Sequence, residues 1–153
     1  MHSMETLTAP HLTDMPNIAR QVLARVPADE RRASVLTFSG ELGAGKTTLV
    51  QHIAQELGIG GAVTSPTFVI MKQYVTANGT GYDTLVHIDA YRIADPAEME
   101  VLGFLRLLEQ PRTLICIEWP EHIATLIPST TLRFILSEAG EGRTITIHGQ
   151  ETN

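Results

Sequence analysis

The sequence is poor in the residues that build several common kinds of site. Cys116 is its one cysteine among 153 residues, so an intramolecular disulfide and a multi-cysteine metal cluster are excluded. Aromatic residues make up only 5%, and 11 lysines and arginines are outnumbered by 17 aspartates and glutamates, which gives a formal net charge of -6. This sign of charge is unfavourable for binding nucleic-acid phosphates. We therefore expect any involvement with RNA to be indirect and expect no binding to DNA.

Long hydrophobic runs are also missing. A run of about 18 apolar residues, enough to span a membrane, occurs nowhere, and residues 1–5 lack the basic and apolar segments of a secretory signal. The rest of the composition, 43% hydrophobic and 18% charged, is ordinary for a globular protein, and the length suits a single hydrophobic core. We expect one cytoplasmic domain over residues 1–153, without membrane contact.

The spacing of apolar residues predicts alternating helices and strands. A first amphipathic helix begins at Met15 with Thr13 as its N-cap, and a second begins at about Lys46. Between them, residues 35–38 are short, β-branched and aromatic, which is typical of a buried strand. Further strands are predicted at 67–75, 85–90, 113–117, 131–136 and 144–148, and one kinked helix or two short ones over 96–108. Gly103 interrupts that last helical pattern.

A glycine-rich motif joins the first predicted strand to the second helix. Residues 40–47 read Gly-Glu-Leu-Gly-Ala-Gly-Lys-Thr, a full match to the G-x-x-x-x-G-K-[ST] pattern of phosphate-binding P-loops. Its glycines let backbone amides curl around a phosphate, its lysine supplies a positive charge, and its threonine hydroxyl can bind magnesium. The expected nucleotide contacts of this segment are Gly43, Ala44, Gly45, Lys46, Thr47 and Thr48.

The order of elements around this motif predicts the fold class. Strands alternate with helices, and two pairs of strands are joined by turn-rich segments that favour antiparallel hairpins. We expect an α/β protein with a single P-loop NTPase domain. Its central sheet should be mostly parallel, with antiparallel hairpin additions and helices on both faces.

Two acidic residues at the ends of apolar strands are candidates for the metal site. Asp89 follows Leu-Val-His-Ile and Glu118 follows Leu-Ile-Cys-Ile, and ligands of open α/β sheets bind at such carboxyl ends. One carboxylate can hold magnesium with Thr47 while the other orients the attacking water. We expect Lys46, Asp89 and Glu118 to be catalytic, and both acids to lie outside the core. The alternative is that one of them is only a solvated residue at a strand end.

Other positions near these strands give weaker indications. Residues 65–68, Ser-Pro-Thr-Phe, stand where P-loop GTPases and ATPases have a loop that senses the γ-phosphate, although a plain turn opening a strand is the alternative. Trp119 follows Glu118, so we expect its ring at the mouth of the site. His87 and Cys116 lie within apolar strands, and we expect them to be core residues and not ligands.

Five segments together resemble one known family. They are residues 40–48, Ser-Pro-Thr-Phe at 65–68, His-Ile-Asp-Ala-Tyr-Arg at 87–92, Leu-Gly at 102–103 and Ile-Glu-Trp-Pro-Glu at 117–121. Their order and spacing are similar to the bacterial TsaE (YjeE) family, the ATPase of tRNA threonylcarbamoyladenosine biosynthesis. The resemblance covers nearly the whole chain, and the His-x-Asp-x-Tyr-Arg segment at 87–92 and the Glu-Trp-Pro-Glu segment at 118–121 are far more specific than the P-loop.

The resemblance implies a small ATPase that takes ATP with magnesium (Mg2+), releases ADP, and supports a TsaB–TsaD assembly. That assembly adds threonylcarbamoyl to the adenosine beside the anticodon, so tRNA would be met only through the partners. The resemblance implies phosphate binding by Lys46 and the loop amides, magnesium binding by Thr47 and Glu118, and a role for Asp89 in the network of the metal and the attacking water. It also implies that Thr67 belongs to a switch loop and that Trp119 packs beside the P-loop. Residues 8–12 and Arg143 would lie near the nucleotide base.

Two other functions stay open from the residues alone. Small-molecule kinases are also compact P-loop proteins, and Asp89 with Arg92 could act as base and phosphate clamp. Against this, Arg106 and Arg112 are the only Lys or Arg residues between 92 and 133, where such kinases carry an Arg-rich lid. A nucleotide-dependent switch with negligible turnover is the other alternative. The chain has no Asn/Thr-Lys-x-Asp segment for guanine, so we expect adenine as the base.

Overall fold

One mixed sheet of seven strands forms the centre of the computed structural model, which describes residues 4–61, 63–66 and 69–149. The strands are β1 (Met4–Ala9), β2 (Ser34–Ser39), β3 (Met71–Val75), β4 (Thr84–Asp89), β5 (Thr113–Glu118), β6 (Leu132–Ala139) and β7 (Gly142–His148). The helices are α1 (Met15–Ala24), α2 (Lys46–Glu56), α3 (Ala97–Val101) and α4 (Phe104–Leu108), with 3-10 segments at Leu12–Asp14 and Pro120–Leu126.

The sheet is parallel in its middle and antiparallel at its sides. Its spatial order is β1-β7-β6-β2-β5-β4-β3. Strand β2 runs parallel to β5 and β6, and β4 runs parallel to β5, whereas β1, β3 and β7 join as antiparallel partners. The predicted α/β class with antiparallel hairpin additions is confirmed. This arrangement brings the carboxyl ends of β2, β4 and β5 to one edge of the sheet.

Helices cover both faces of the sheet, as predicted. Helices α1 and α2 pack on the face that contains Leu114 and Cys116 of β5, and α3, α4 and the second 3-10 segment pack on the face that contains Ile115 and Ile117. All six residues of β5 are buried. An apolar run without alternation is what a strand covered on both sides requires. No helix among the described residues is long and apolar enough to cross a membrane.

The N-terminal strand β1 is absent from the sequence prediction. It pairs antiparallel with β7 at the edge of the sheet, where Thr6 stands opposite Thr146. Only Leu7 and Ala9 of its six residues are buried. Two buried positions are too few for a period-two pattern to show, so long-range pairing with the end of the chain decides this element.

The predicted N-cap of α1 is wrong. The helix begins at Met15, and its N-cap position is taken by Asp14, not Thr13, which lies in the preceding 3-10 turn. The carboxylate of Asp14 accepts a hydrogen bond of 2.9 Å from the backbone N–H of His11. The Asp14 side chain therefore closes the 3-10 turn before the helix and makes no side-chain cap hydrogen bond to α1 itself.

Two boundaries after α2 are set by local backbone turns and not by the spacing of apolar residues. Strand β3 begins at Met71 and not at 67, because the N–H groups of Val69 and Ile70 turn back to the carbonyl of Pro66. The predicted residues 67 and 68 lie outside the described part of the chain. Of the two forms predicted over 96–108, the pair of short helices is confirmed, since Gly103 takes a left-handed conformation (φ 85°) between them.

Candidate nucleotide-binding site

The P-loop connects β2 to α2 at the carboxyl edge of the parallel strands. Gly45 occupies the N-cap of α2 with φ 100°, a conformation that glycine adopts without strain. The first helical hydrogen bond, from Leu49 N–H to the Gly45 carbonyl, is 2.9 Å long. The first-turn amides and the positive dipole end of α2 therefore lie at this edge, where an anion is stabilised.

Lys46 is the first residue of α2 and is buried beneath the loop. Its ammonium donates to the carbonyl of Gly40 and, at 3.3 Å, to that of Glu41, and it lies 3.9 Å from the centre of the Trp119 ring. Burial lowers the pKa of Lys46, and the negative charges of Glu118, Glu121 and Asp89 oppose that shift. The ammonium is thus a desolvated positive charge, which a phosphate oxyanion can satisfy.

Asp89 and Glu118 stand side by side at the ends of two parallel strands. They are register partners of β4 and β5, and their exposed fractions are 5% and 2%. The expectation that both lie outside the core is therefore wrong, as is the alternative of a solvated strand end. Both strands have neighbours on each side, and the loops that follow fold over their ends. The backbone N–H of Tyr91, for example, donates 2.9 Å to Asp89.

Glu118 joins the strand ends to the P-loop helix. The hydroxyl of Thr47 donates to its carboxylate, at 2.8 Å from one oxygen and 2.9 Å from the other. A second contact reaches Oε2 of Glu118 from Nε2 of His87, at 2.6 Å. Sequence reasoning correctly expected His87 to be buried but missed this contact. The signal was the His-x-Asp spacing on β4, which puts both side chains on the face that carries Glu118.

Trp119 turns the chain away from β5 and covers Lys46. Its backbone is left-handed (φ 57°), and its half-buried ring contacts Tyr91, with ring centres 5.0 Å apart, and His122, at 6.1 Å. The unusual backbone conformation puts the indole beside the ammonium and not in line with the strand. The ring is therefore next to the phosphate-binding lysine, at the rim of the site.

Arg143 braces the outer side of the P-loop. From β7 its guanidinium donates to the carbonyls of Ala44 (3.0 Å) and Gly43 (3.1 Å). Both donors belong to one rigid guanidinium group, and the two carbonyls belong to consecutive residues. The pair of hydrogen bonds therefore fixes the orientation of this part of the loop. Sequence reasoning did not foresee the contact, because it depends on β7 lying near β2 in the sheet.

The residues that form this site lie within a region that matches a known protein family. A family model described as threonylcarbamoyl adenosine biosynthesis protein TsaE matches residues 10–145. The chain belongs to the TsaE family. The matched region includes the P-loop, both buried acids, Trp119 and Arg143, so every part of the site described above lies within it.

Individual TsaE relatives and a solved structure agree with this assignment. The tRNA threonylcarbamoyladenosine biosynthesis protein TsaE of Streptomyces coelicolor is 39% identical over 125 residues, which cover 78% of this chain and 82% of that protein. The protein of the same name from Bacillus subtilis is 34% identical over 126 residues, covering 82% and 75%. The crystal structure of Bacillus subtilis YdiB matches with a TM-score of 0.75 at 28% identity, covering 99% of this chain and 88% of that one. The family resemblance is confirmed.

The remaining site residues expected for a TsaE chain are only partly brought together. Thr48 follows Thr47 on α2 and is exposed, and Thr67 lies outside the described residues. The described residues Val63 and Thr64 of the preceding loop are each held by a side-chain hydrogen bond. The Gln51 side chain donates 2.7 Å to the carbonyl of Val63, and Lys72 donates to Thr64. The loop therefore has polar anchors on α2 and β3 that its glycine-rich sequence did not indicate.

Replacing Arg143 by lysine should weaken ATP binding about fivefold, the effect of losing one hydrogen bond of about 1 kcal/mol. A lysine keeps the charge but cannot reach both loop carbonyls, so the loop amides are less well oriented for phosphate. Calorimetric titration with ATP measures the change. Arg133→Lys, an exposed change on the neighbouring β6, is the matched control. Unchanged affinity in Arg143→Lys would show that the brace does not serve nucleotide binding.

Proposed function

We propose that this chain binds ATP with magnesium and hydrolyses it slowly to ADP and phosphate, in support of a TsaB–TsaD complex that makes threonylcarbamoyladenosine in tRNA. The observation that carries the proposal is the contact of Thr47 with both carboxylate oxygens of Glu118, at 2.8 and 2.9 Å, beside a complete P-loop. A threonine hydroxyl and a strand-end carboxylate are the pair that P-loop NTPases use for the metal. Family membership supports the pathway.

The donor set suits magnesium. Thr47, Glu118 and Asp89 offer only oxygen atoms, the ligands that magnesium prefers, and magnesium usually takes one or two protein carboxylates and completes its shell with phosphates and water. When bound, the ion would neutralise charge on the β- and γ-phosphates. Thr47 and Glu118 are the residues that would hold it.

Each remaining group has a role in binding or in orienting water. The amides of the loop and the buried ammonium of Lys46 bind phosphate oxygens, and Trp119 shields that ammonium from solvent. Asp89, beside Glu118, orients the attacking water and can accept its proton. The absence of a guanine-binding segment from the sequence favours ATP over GTP.

The surface charge favours protein partners over RNA. A net charge of -6 repels the phosphates of tRNA but suits a basic surface on a partner enzyme. We therefore propose that tRNA is met only through the TsaB–TsaD assembly.

Adding TsaB–TsaD should raise ATP turnover at least about tenfold, which is a barrier change of 1.4 kcal/mol. The reason is that a docked partner holds the attacking water in line, so hydrolysis by the isolated chain is slow. Phosphate release measured with and without the partners, at low and high salt, checks this. The gain should shrink at high salt, because oppositely charged docking surfaces are screened.

The same assay separates the alternatives. Equal rates with and without the assembly would contradict partner stimulation. Fast phosphorylation of a small metabolite by the isolated chain would favour a kinase. Tight ATP binding without any turnover, even with partners, would favour a nucleotide-dependent switch.

A further inference from the structure

His87 is a fully buried, polar side chain at the centre of the sheet. Its exposed fraction is 0%, and its Nε2 lies 2.6 Å from Oε2 of Glu118. Its other ring nitrogen, Nδ1, is buried and has no hydrogen-bond partner in the described part of the protein. An imidazole that is buried with only one partner is costly, so a purely space-filling role would be better served by an apolar residue.

Parallel strand register explains how the ring reaches the carboxylate. The register partner of His87 on β5 is Cys116, and Glu118 is the next residue on the same face. His87 lies two residues before the end of β4, so its ring reaches diagonally toward the strand end. It contacts the carboxylate of Glu118 from the protein interior. The hydroxyl of Thr47 meets the same carboxylate from α2.

The two contacts together orient Glu118. A carboxylate can only accept hydrogen bonds, so Nε2 of His87 carries the proton and donates to Oε2. Without His87, Thr47 alone would contact the two carboxylate oxygens, at 2.8 and 2.9 Å, and the buried group would lose part of its compensation for burial. With His87 present, Oε2 is held and the second oxygen, Oε1, stays 2.8 Å from Thr47.

We propose that His87 is a positioning residue for Glu118: its Nε2–H holds one carboxylate oxygen so that the group faces Thr47 in the orientation that binds magnesium with ATP. This inference rests on the proposed function, because it assigns His87 to the magnesium site of that function. His87 is not among the residues that would hold phosphate or metal. Its effect should therefore be confined to the metal-dependent part of nucleotide binding.

The test compares ATP affinity with and without magnesium. Calorimetry gives the dissociation constant of ATP in EDTA and in excess magnesium. The value in EDTA divided by the value in magnesium is the coupling ratio, which measures how much magnesium strengthens ATP binding. Changing a residue that orients a metal ligand costs about 10–100-fold in metal affinity, so His87→Leu should lower the ratio about tenfold. ATP affinity in EDTA should stay within about twofold of the wild-type value, since the P-loop is untouched.

Three further variants make the result specific. His87→Gln can put an amide N–H where Nε2 lies and should recover most of the coupling, whereas His87→Asn places its N–H near Nδ1 and should not. Cys116→Ala, the register partner in the same buried layer, controls for disturbance of the core and should keep the wild-type ratio. Melting temperature is measured for every variant.

The outcomes distinguish this inference from the proposed function. A wild-type ratio of one would contradict the magnesium site itself. A coupled wild type together with an equally coupled His87→Leu would overturn only the positioning role. If His87→Leu does not fold, the comparison of His87→Gln with His87→Asn decides, and equal ratios in those two variants overturn the proposal.

Discussion

Replacing Glu118 by glutamine is expected to lower magnesium-dependent ATP hydrolysis at least about 100-fold, measured with TsaB–TsaD present. The substitution keeps the size of the side chain and an oxygen for the hydroxyl of Thr47, but it removes the negative charge that magnesium needs. Folding should change much less, because a neutral amide is less costly to bury than a carboxylate, which in this chain is only 2% exposed. Phosphate release and thermal melting, taken on the same samples, measure the two effects.

Glu109→Gln is the matched control for this result. Glu109 is exposed at the end of α4 and has no part in the site, so its variant should hydrolyse ATP at the wild-type rate. Asp89→Asn, in the same assay, should also reduce hydrolysis far more than it changes folding. Full activity in either Glu118→Gln or Asp89→Asn would remove that residue from the catalytic site.

Lys46→Ala is expected to weaken ATP binding about 10–100-fold, the value of a charge-assisted hydrogen bond of about 1.5–3 kcal/mol. The fold should survive, although the exposed fraction of Lys46 is only 5%. Burial lowers the pKa of Lys46, so the cost of desolvating its charge offsets part of what its contacts contribute to the stability of the fold. Calorimetric titration and melting temperature give both quantities.

Arg106→Ala serves as the control for the lost positive charge, since Arg106 is exposed on α4. Its ATP affinity should equal that of the wild type. ATP binding by Lys46→Ala at wild-type strength, with unchanged melting temperature, would contradict the P-loop assignment and with it the proposed ATPase activity.

The features that could be predicted from the sequence are those that a short stretch of chain defines. The P-loop at 40–47 is recognisable because its chemistry depends on neighbours in the chain, and the apolar run of β5 is recognisable because a strand buried on both faces cannot alternate. Asp89 and Glu118 were found for the same reason: each ends such a run. Family membership followed from the order and spacing of these segments.

Features that depend on which strands are neighbours were missed or misjudged. β1 has only two buried residues, and its pairing partner lies at the other end of the chain. The burial of Asp89 and Glu118 follows from strands on both sides and from loops that fold over their ends. Arg143 reaches the P-loop because β7 and β6 pack beside β2.

The sequence by itself determined the phosphate loop, the two acids, the α/β class and the family, because each depends on local spacing along the chain. Only the tertiary structure decided that Glu118 lies between Thr47 and His87, with its carboxylate 2.8 and 2.6 Å from them. Those three residues come from α2, β5 and β4. Their meeting is set by parallel register and by the packing of α2 on the sheet, and neither leaves a pattern in a single stretch of sequence.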